Sequence, residues 1–366
     1  MTRLDIAQLR FYNQGLESPS FTEASDVVAW FGAVQAQDYK AAKWALGVRL
    51  PAKTAADIEH DLAQRTIVRT WPMRGTIHLV PAEDAHWMLE LLTPRVLASS
   101  AGRYRQLELD EAVFSQSRDL LIKALVGGKQ LTRAVLYQHL EAAGVATAQG
   151  RGMHILGHLA QQGVLCFGSY EGKQPTFALL DEWVTSASTL AREEALVTLA
   201  LRYFRSHGPA TLQDFVWWSG LRVAEAKVGL ELAKAALEKI QVDEKTYWFM
   251  PTELPEESPS PKEGQLMGHL LPWFDEYLVA YKDRSAVLEP SFNKAVNAGG
   301  GLLNPTLVIK GQVIGTWKRV FKKDRVVINL SYFGTPSKTQ KQAVAEAAER
   351  YGRFLAVPYS VERKGE

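Results

Sequence analysis

Residues 111–180 read EAVFSQSRDLLIKALVG (111–127), LTRAVLYQHLEAAG (131–144), RGMHILGHLAQQG (151–163) and VLCFGSYEGKQPTFALL (164–180). The first three pieces carry apolar residues at helical spacing, with Gly128 as a stop and Thr132 as a start signal between the first and second. The fourth places two apolar runs around a polar Ser169-Tyr170-Glu171-Gly172-Lys173 turn, which is a hairpin signal. Three helices followed by a hairpin is the plan of a winged helix.

The same order returns C-terminally. STLAREEALVTLALRYFRSHG (188–208), ATLQDFVWWSG (210–220) and LRVAEAKVGLELAKAALEKI (221–240) predict three helices, and strand signals follow around Asp243-Glu244-Lys245. Gly208-Pro209-Ala210-Thr211 repeats the stop and the Thr cap. A period of roughly 80 residues suggests duplication, longer than the repeat of a solenoid. Residues 1–80 are a third, less regular copy, with helices expected at 5–15 and 23–36 and a hairpin in RTIVRTWPMRGTIHLV (65–80).

The stretch PTELPEESPSPKEG (251–264) is rich in Pro, Glu and Ser and reads as a linker or exposed loop. Beyond it, apolar runs divided by Gly299-Gly300-Gly301 and Lys310-Gly311 predict strands, and KTQKQAVAEAAERYGRFLAV (338–357) an amphipathic helix. The fold expected is mainly α with small β elements (α+β). Winged-helix modules occupy 1–105, 106–185 and 186–250, a linker 251–265, and a β-barrel or strongly curved sheet with a final helix 266–366.

At 366 residues, 46% hydrophobic and 22% charged, the chain belongs with multidomain globular proteins. It has no run of eighteen apolar residues for a membrane span, and its N-terminus lacks the apolar core of a signal peptide, so a cytoplasmic, nucleoid-associated protein is expected. Cys166, the single cysteine, excludes an intramolecular disulfide and a cysteine-rich metal site, and reads as a small apolar strand residue. A net charge of +2 permits nucleic-acid binding without demanding it.

The distribution of charge says more. A winged helix places its third helix in a DNA groove with cations on the flanks, and here that helix carries Arg151, His154 and His158, with Arg133 before it. His154 and His158, at i and i+4, present a metal-binding spacing that is more often a solvated or core-facing pair, and no metal is expected. Residues 317–325, WKRVFKKDR, hold five cations (Lys318, Arg319, Lys322, Lys323, Arg325) against one carboxylate, at the tip of an expected hairpin. Such a tip either follows the phosphate backbone or is an ordinary soluble turn. Arg69, Trp71, Arg74 and His78 alternate along the first hairpin, and Arg69 and Trp71 share a face only if Pro72 leaves the register intact. Nucleotide-binding loops, a zinc helix and a GxSxG elbow are absent, and Gly150-Arg151-Gly152 lacks the third glycine of a dinucleotide fingerprint.

Taken together, VQAQDYKAAKWALGVRL (34–50), RTWPMRGTIHLVPAEDAHWML (69–89), LLPWFDEYLVAYKDRS (270–285) and VIGTWKR (313–319) resemble the AlkZ-like family of winged-helix DNA glycosylases, which includes the crosslink-unhooking YcaQ type. The resemblance runs from about residue 5 to 355. It implies tandem winged helices around a β-barrel, duplex DNA carrying alkylated purines as the partner, a monomer, and base removal without metal or cofactor. The family's signature, Gln-x-Gln or Gln-x-Asp, falls here on Gln35 and Gln37, with Asp38 directly following. On this resemblance Gln35 and Gln37 are the catalytic residues, and Arg69, Arg74, Arg133, Arg151, Lys318, Arg319, Lys322, Lys323 and Arg325 are the candidates for DNA contact.

Two neutral amides suit that chemistry. A purine alkylated at N7 is already cationic, so its departure needs no strong acid, and a glutamine offers a carbonyl acceptor and an amide donor to place water. For both glutamines to act together, the backbone there must not be a regular helix, because residues at i and i+2 diverge on a helix. The expected activity is monofunctional hydrolysis of the N-glycosidic bond in base excision repair, serving self-resistance or crosslink unhooking. A non-catalytic winged-helix transcription regulator and a protein that sequesters alkylating compounds are the competing readings.

Overall fold

The computed structural model describes residues 2–251 and 266–363, which form two compact units, Met1–His60 with Val197–Glu366, and Asp61–Leu196. The linker expected at 251–265 lies, but for its first residue, outside the described residues.

In the Asp61–Leu196 unit the three-helix-and-hairpin order is present as Glu111–Leu125, Arg133–Ala142 and Arg151–Gln161, then strands Leu165–Glu171 and Gln174–Leu179. Thr132 stands at the N-cap of the second helix but makes no side-chain cap bond. The hairpin expected to close the first module, Ile67–Met73 with Thr76–Pro81, belongs to the Asp61–Leu196 unit. It pairs with the second module's hairpin at Arg69↔Phe167. In this unit five strands lie side by side in the order Thr76–Pro81, Ile67–Met73, Leu165–Glu171, Gln174–Leu179, Leu131–Thr132. Burial of Trp71 against Phe167, with ring centroids 4.6 Å apart, helps make one sheet of the two hairpins. Pro72 does shift the register: the pairing slips between Thr70 and Met73, as a residue without an N–H requires. Arg74 and Gly75 both take positive φ (54° and 70°), the conformation of a two-residue hairpin turn.

The other unit carries the second full copy, helices Arg192–Ser206 (from Val197 on), Leu212–Ser219 and Val223–Ala233 followed by strands Glu238–Val242 and Lys245–Phe249. Here Thr211 does cap, in a reciprocal box with Asp214. The expected β-barrel is corrected by an open five-stranded sheet, ordered Tyr359–Arg363, Val326–Tyr332, Gln312–Phe321, Thr306–Ile309, Gly268–Leu271. Closure would require the two outermost strands to pair. Instead the chain leaves Val326–Tyr332 as the helix Lys338–Leu355 and returns parallel to that same strand, so among the described residues Gly268–Leu271 has a strand partner on one side only. The helix packs on the sheet through Tyr351, whose ring lies 4.9 Å from Trp44 and 5.1 Å from Trp317. Gly47, on the helix Tyr39–Gly47, makes that approach possible: a Cβ there would sit 2.3 Å from the Phe354 ring.

Candidate active site

The expected helix over 23–36 stops at Phe31. Gly32 follows with φ 77°, a conformation that ends Ala24–Phe31, and Asp38 opens Tyr39–Gly47 by accepting the Ala41 N–H at 2.9 Å. Between the stop and the start the chain has no helical option, so Val34–Gln35 is extended and Gln37 and Asp38 form a bend. The glutamines therefore sit on a non-helical segment, the condition for residues at i and i+2 to act on one side. Gln35 is buried, 7% exposed, and Gln37 is exposed.

What holds this segment is a residue far along the sequence. The Gln35 N–H donates to Glu276 Oε1 at 2.8 Å, and Glu276 Oε2 accepts from Trp218 Nε1 at 3.1 Å and lies 3.4 Å from His207 Nε2. Glu276 and His207 are both fully buried. Burial pushes the His207 ring below its ordinary pKa, against the opposing pull of Glu276, so the ring is neutral at pH 7. Its Nδ1 lies 2.8 Å from Ser206 Oγ, whose hydroxyl donates to the Arg202 carbonyl at 2.7 Å. Directly before Glu276, Asp275 receives both terminal nitrogens of Arg49, each at 2.9 Å. Phe274 precedes them with φ 63°, left-handed backbone that turns the chain from the strand Gly268–Leu271 into the short helix Glu276–Val279.

Arg319 comes from strand Gln312–Phe321, donates to the Tyr351 hydroxyl at 2.6 Å and lies 3.9 Å from Asp38. The base of the C-terminal hairpin is thus fastened beside the glutamines, and Lys40 adds a cation 5.2 Å from the Phe321 ring centre. Lys318 is exposed on the same strand, and Lys322, Lys323 and Arg325 are exposed at the turn, closed by a 2.8 Å bond from Lys322 N to Arg325 O. These four share one projecting end, whereas Arg319 is turned inward.

In the Asp61–Leu196 unit the other candidates have intramolecular partners. The Arg69 guanidinium lies 4.2 Å over Phe167 and 3.3 Å from the Tyr170 hydroxyl. Arg74 Nη2 is 3.3 Å from Nε2 of the buried His78, whose pKa burial and that cation hold well below the usual value. Arg133 is exposed and 3.5 Å from Met153 Sδ, while Arg151 donates to the carbonyls of Ala146 (3.0 Å) and Glu108 (3.2 Å). His154 and His158 do not present a metal face: His158 stacks on Phe114 at 3.6 Å, and both rings meet Tyr104 edge-on.

Glu276, His207, Trp218, Asp275 and Arg49 were not singled out from sequence. The available signal was an Asp275-Glu276 acid pair inside the otherwise apolar run 270–281, since buried charge in such a run needs built partners.

The Gln35-Ala36-Gln37 segment is non-helical and is bonded at the Gln35 N–H by a buried carboxylate, and the chain that carries it belongs to the class of the DNA glycosylases. The family model described as DNA glycosylase AlkZ-like matches residues 28–354, and the chain belongs to that family. An interstrand DNA cross-link repair glycosylase from Streptomyces sahachiroi is 29% identical over 376 residues, covering 97% of this chain and 95% of that one. The solved structure of Streptomyces sahachiroi DNA glycosylase AlkZ superposes with a TM-score of 0.78 at 24% identity, over 99% of this chain and 100% of that one. The protein is a DNA glycosylase, which sets aside the regulator reading. No helix among the described residues is long and apolar enough to cross a membrane.

Proposed function

We propose that this glycosylase hydrolyses the N-glycosidic bond of cationic N7-alkylated purines in duplex DNA, with Gln35 and Gln37 as its catalytic pair. The observation that carries the reading is the non-helical backbone at Gln35-Ala36-Gln37, with Gln35 buried and Gln37 exposed. One glutamine orients a water through its carbonyl oxygen, and the other fixes the first amide or the sugar. The C1′–N9 bond breaks, its electron pair neutralises the cationic purine, and water bonds to C1′ and releases a proton to solvent. Because the leaving group departs as a neutral base, positioning and hydrogen bonding supply the catalysis.

The three-helix-and-hairpin segments act as winged-helix modules on the duplex, and the cations Lys318, Lys322, Lys323 and Arg325 hold phosphates. The protein works as a monomer without metal or cofactor. The cross-link repair named for the Streptomyces sahachiroi relative fits the same chemistry, because each end of an N7-linked crosslink is a cationic purine. Base release from duplex DNA carrying N7-methylguanine tests the proposal: the Gln35→Ala, Gln37→Ala double variant loses release, and a rate equal to wild type would remove the glutamines from the mechanism. Assaying bulky adducts and crosslinks alongside then sets the substrate range.

A further inference from the structure

Glu276 is a fully buried carboxylate whose role is not absorbed by ion pairing. The guanidinium that serves the neighbouring Asp275, that of Arg49, is committed there through two 2.9 Å bonds, and the groups that reach Glu276 are the donors Gln35 N and Trp218 Nε1, with His207 Nε2 3.4 Å away. A buried carboxylate is costly unless its oxygens are satisfied, so these donors fix the side chain in one orientation. Trp218 and His207, from the Arg192–Ser206 and Leu212–Ser219 helical region, meet one oxygen. The other oxygen is left for a single job, the backbone of Gln35.

We propose that Glu276 is a positioning residue for the glycosylase reaction, clamping the Gln35 N–H so that the Gln35 side-chain amide keeps the place from which it acts. This rests on the reading of Gln35 as catalytic. Glu276 does not touch substrate; its Oε1 faces the main chain of Gln35. The sequence separation of 241 residues means that the C-terminal part of the unit sets the geometry of a motif near the N-terminus.

The shape of the pocket around the carboxylate predicts which substitution is informative. In Glu276→Gln the side chain keeps its size, but its one carbonyl oxygen can serve either Gln35 or the Trp218 and His207 pair, and its NH2 is then aimed at a donor. The Gln35 strand loses its fixed position while the surrounding packing is kept.

The experiment measures single-turnover release of N7-methylguanine and, separately, affinity for undamaged duplex, with a thermal melt to show cooperative folding. Glu276→Gln lowers the release rate by about 10- to 100-fold, the cost of a small misplacement of a reacting group, with duplex affinity unchanged. Because Glu276 acts through Gln35, adding Glu276→Gln to Gln35→Ala gives no further loss. A wild-type rate for Glu276→Gln, or its full loss repeated in the Gln35→Ala background, overturns the proposal. A wild-type rate for Gln35→Ala alone instead overturns the glutamine reading on which it rests. Should Glu276→Gln fail to fold, Trp218→Phe takes its place, removing one donor from Oε2 and leaving the Gln35 bond. An intermediate loss absent from the Gln35→Ala background then supports the clamp, and a wild-type rate overturns it.

Discussion

Asp38 divides its carboxylate between two partners: Oδ1 accepts the Ala41 N–H at 2.9 Å, and Oδ2 lies 3.9 Å from the Arg319 guanidinium. The only acid adjacent to the glutamine pair in sequence is thus engaged in starting a helix and fastening a strand. Under the proposed mechanism, that occupation leaves the chemistry to the neutral amides although a carboxylate stands next door.

Removing the cap therefore separates structure from catalysis. Asp38→Ala lowers stability by about 1 kcal/mol, the usual cost of an N-cap, while Asp38→Asn keeps a capping oxygen and costs less. Urea unfolding measures both. Base release survives in each variant to a far greater extent than in Gln35→Ala; a loss as deep as that of Gln35→Ala in Asp38→Asn would make Asp38 part of the chemistry.

The exposed hairpin cations make a prediction about salt rather than fold. Replacing Lys322 and Lys323 by Ala leaves the melting temperature unchanged, because both side chains are exposed and the turn is closed by backbone. If each holds one phosphate, the slope of log affinity against log salt falls by about 0.9 per residue removed. An unchanged slope assigns the pair to an ordinary solvated turn.

Much of this was legible in the sequence, for reasons that can be named. The two copies of helix, helix, helix and hairpin announce themselves because apolar periodicity and Gly stops are local signals, as at Gly128 and Gly208-Pro209. Gln35 and Gln37 are candidates through family resemblance alone, since nothing in their local pattern marks two amides as a site. The extended segment was missed because the apolar residues of 23–36 continue at helical spacing past Gly32, and only the Gly32 conformation and the Asp38 cap reveal the break. Closure of a sheet is a long-range property: no pattern in 266–366 tells that Tyr359–Arg363 pairs parallel to Val326–Tyr332 and leaves the sheet open. Glu276 was hidden for the same reason, its partners lying 58, 69 and 241 residues away.

Arg49 and Asp275 form a buried pair that links the C-terminal end of helix Tyr39–Gly47 to the residue before Glu276. Arg49→Ala leaves a buried carboxylate without its counter-charge and costs about 3–5 kcal/mol, read from the urea midpoint. Asp275→Asn leaves the guanidinium unpaired and is destabilising in the same sense. If Arg49→Ala instead unfolds at the wild-type midpoint, the pair is not part of what fixes the 275–276 turn.

His158 gives the fold a weakness on the acid side. Its ring is stacked on Phe114, neither of its ring nitrogens has a hydrogen-bond partner, and burial with the nearby Arg118 lowers its pKa from 6.5 to about 4. In the unfolded chain the ring takes a proton near pH 6.5, but in the folded protein it stays neutral until about pH 4. Between those values the unfolded state binds more protons, so its stabilisation grows and the folded protein loses stability as pH falls from about 6.5 towards 4. Below pH 4 the contribution is complete and flat. His158→Phe removes the titrating group and the two unpartnered nitrogens while keeping a flat ring against Phe114, so it raises stability at pH 7 by about 1 kcal/mol. The variant also loses this part of the acid-side slope. Urea midpoints at pH 7.5, 6, 5 and 4 check both effects: the gap between variant and wild type widens steadily towards pH 4, and a gap that stays constant would mean that His158 titrates alike in both states.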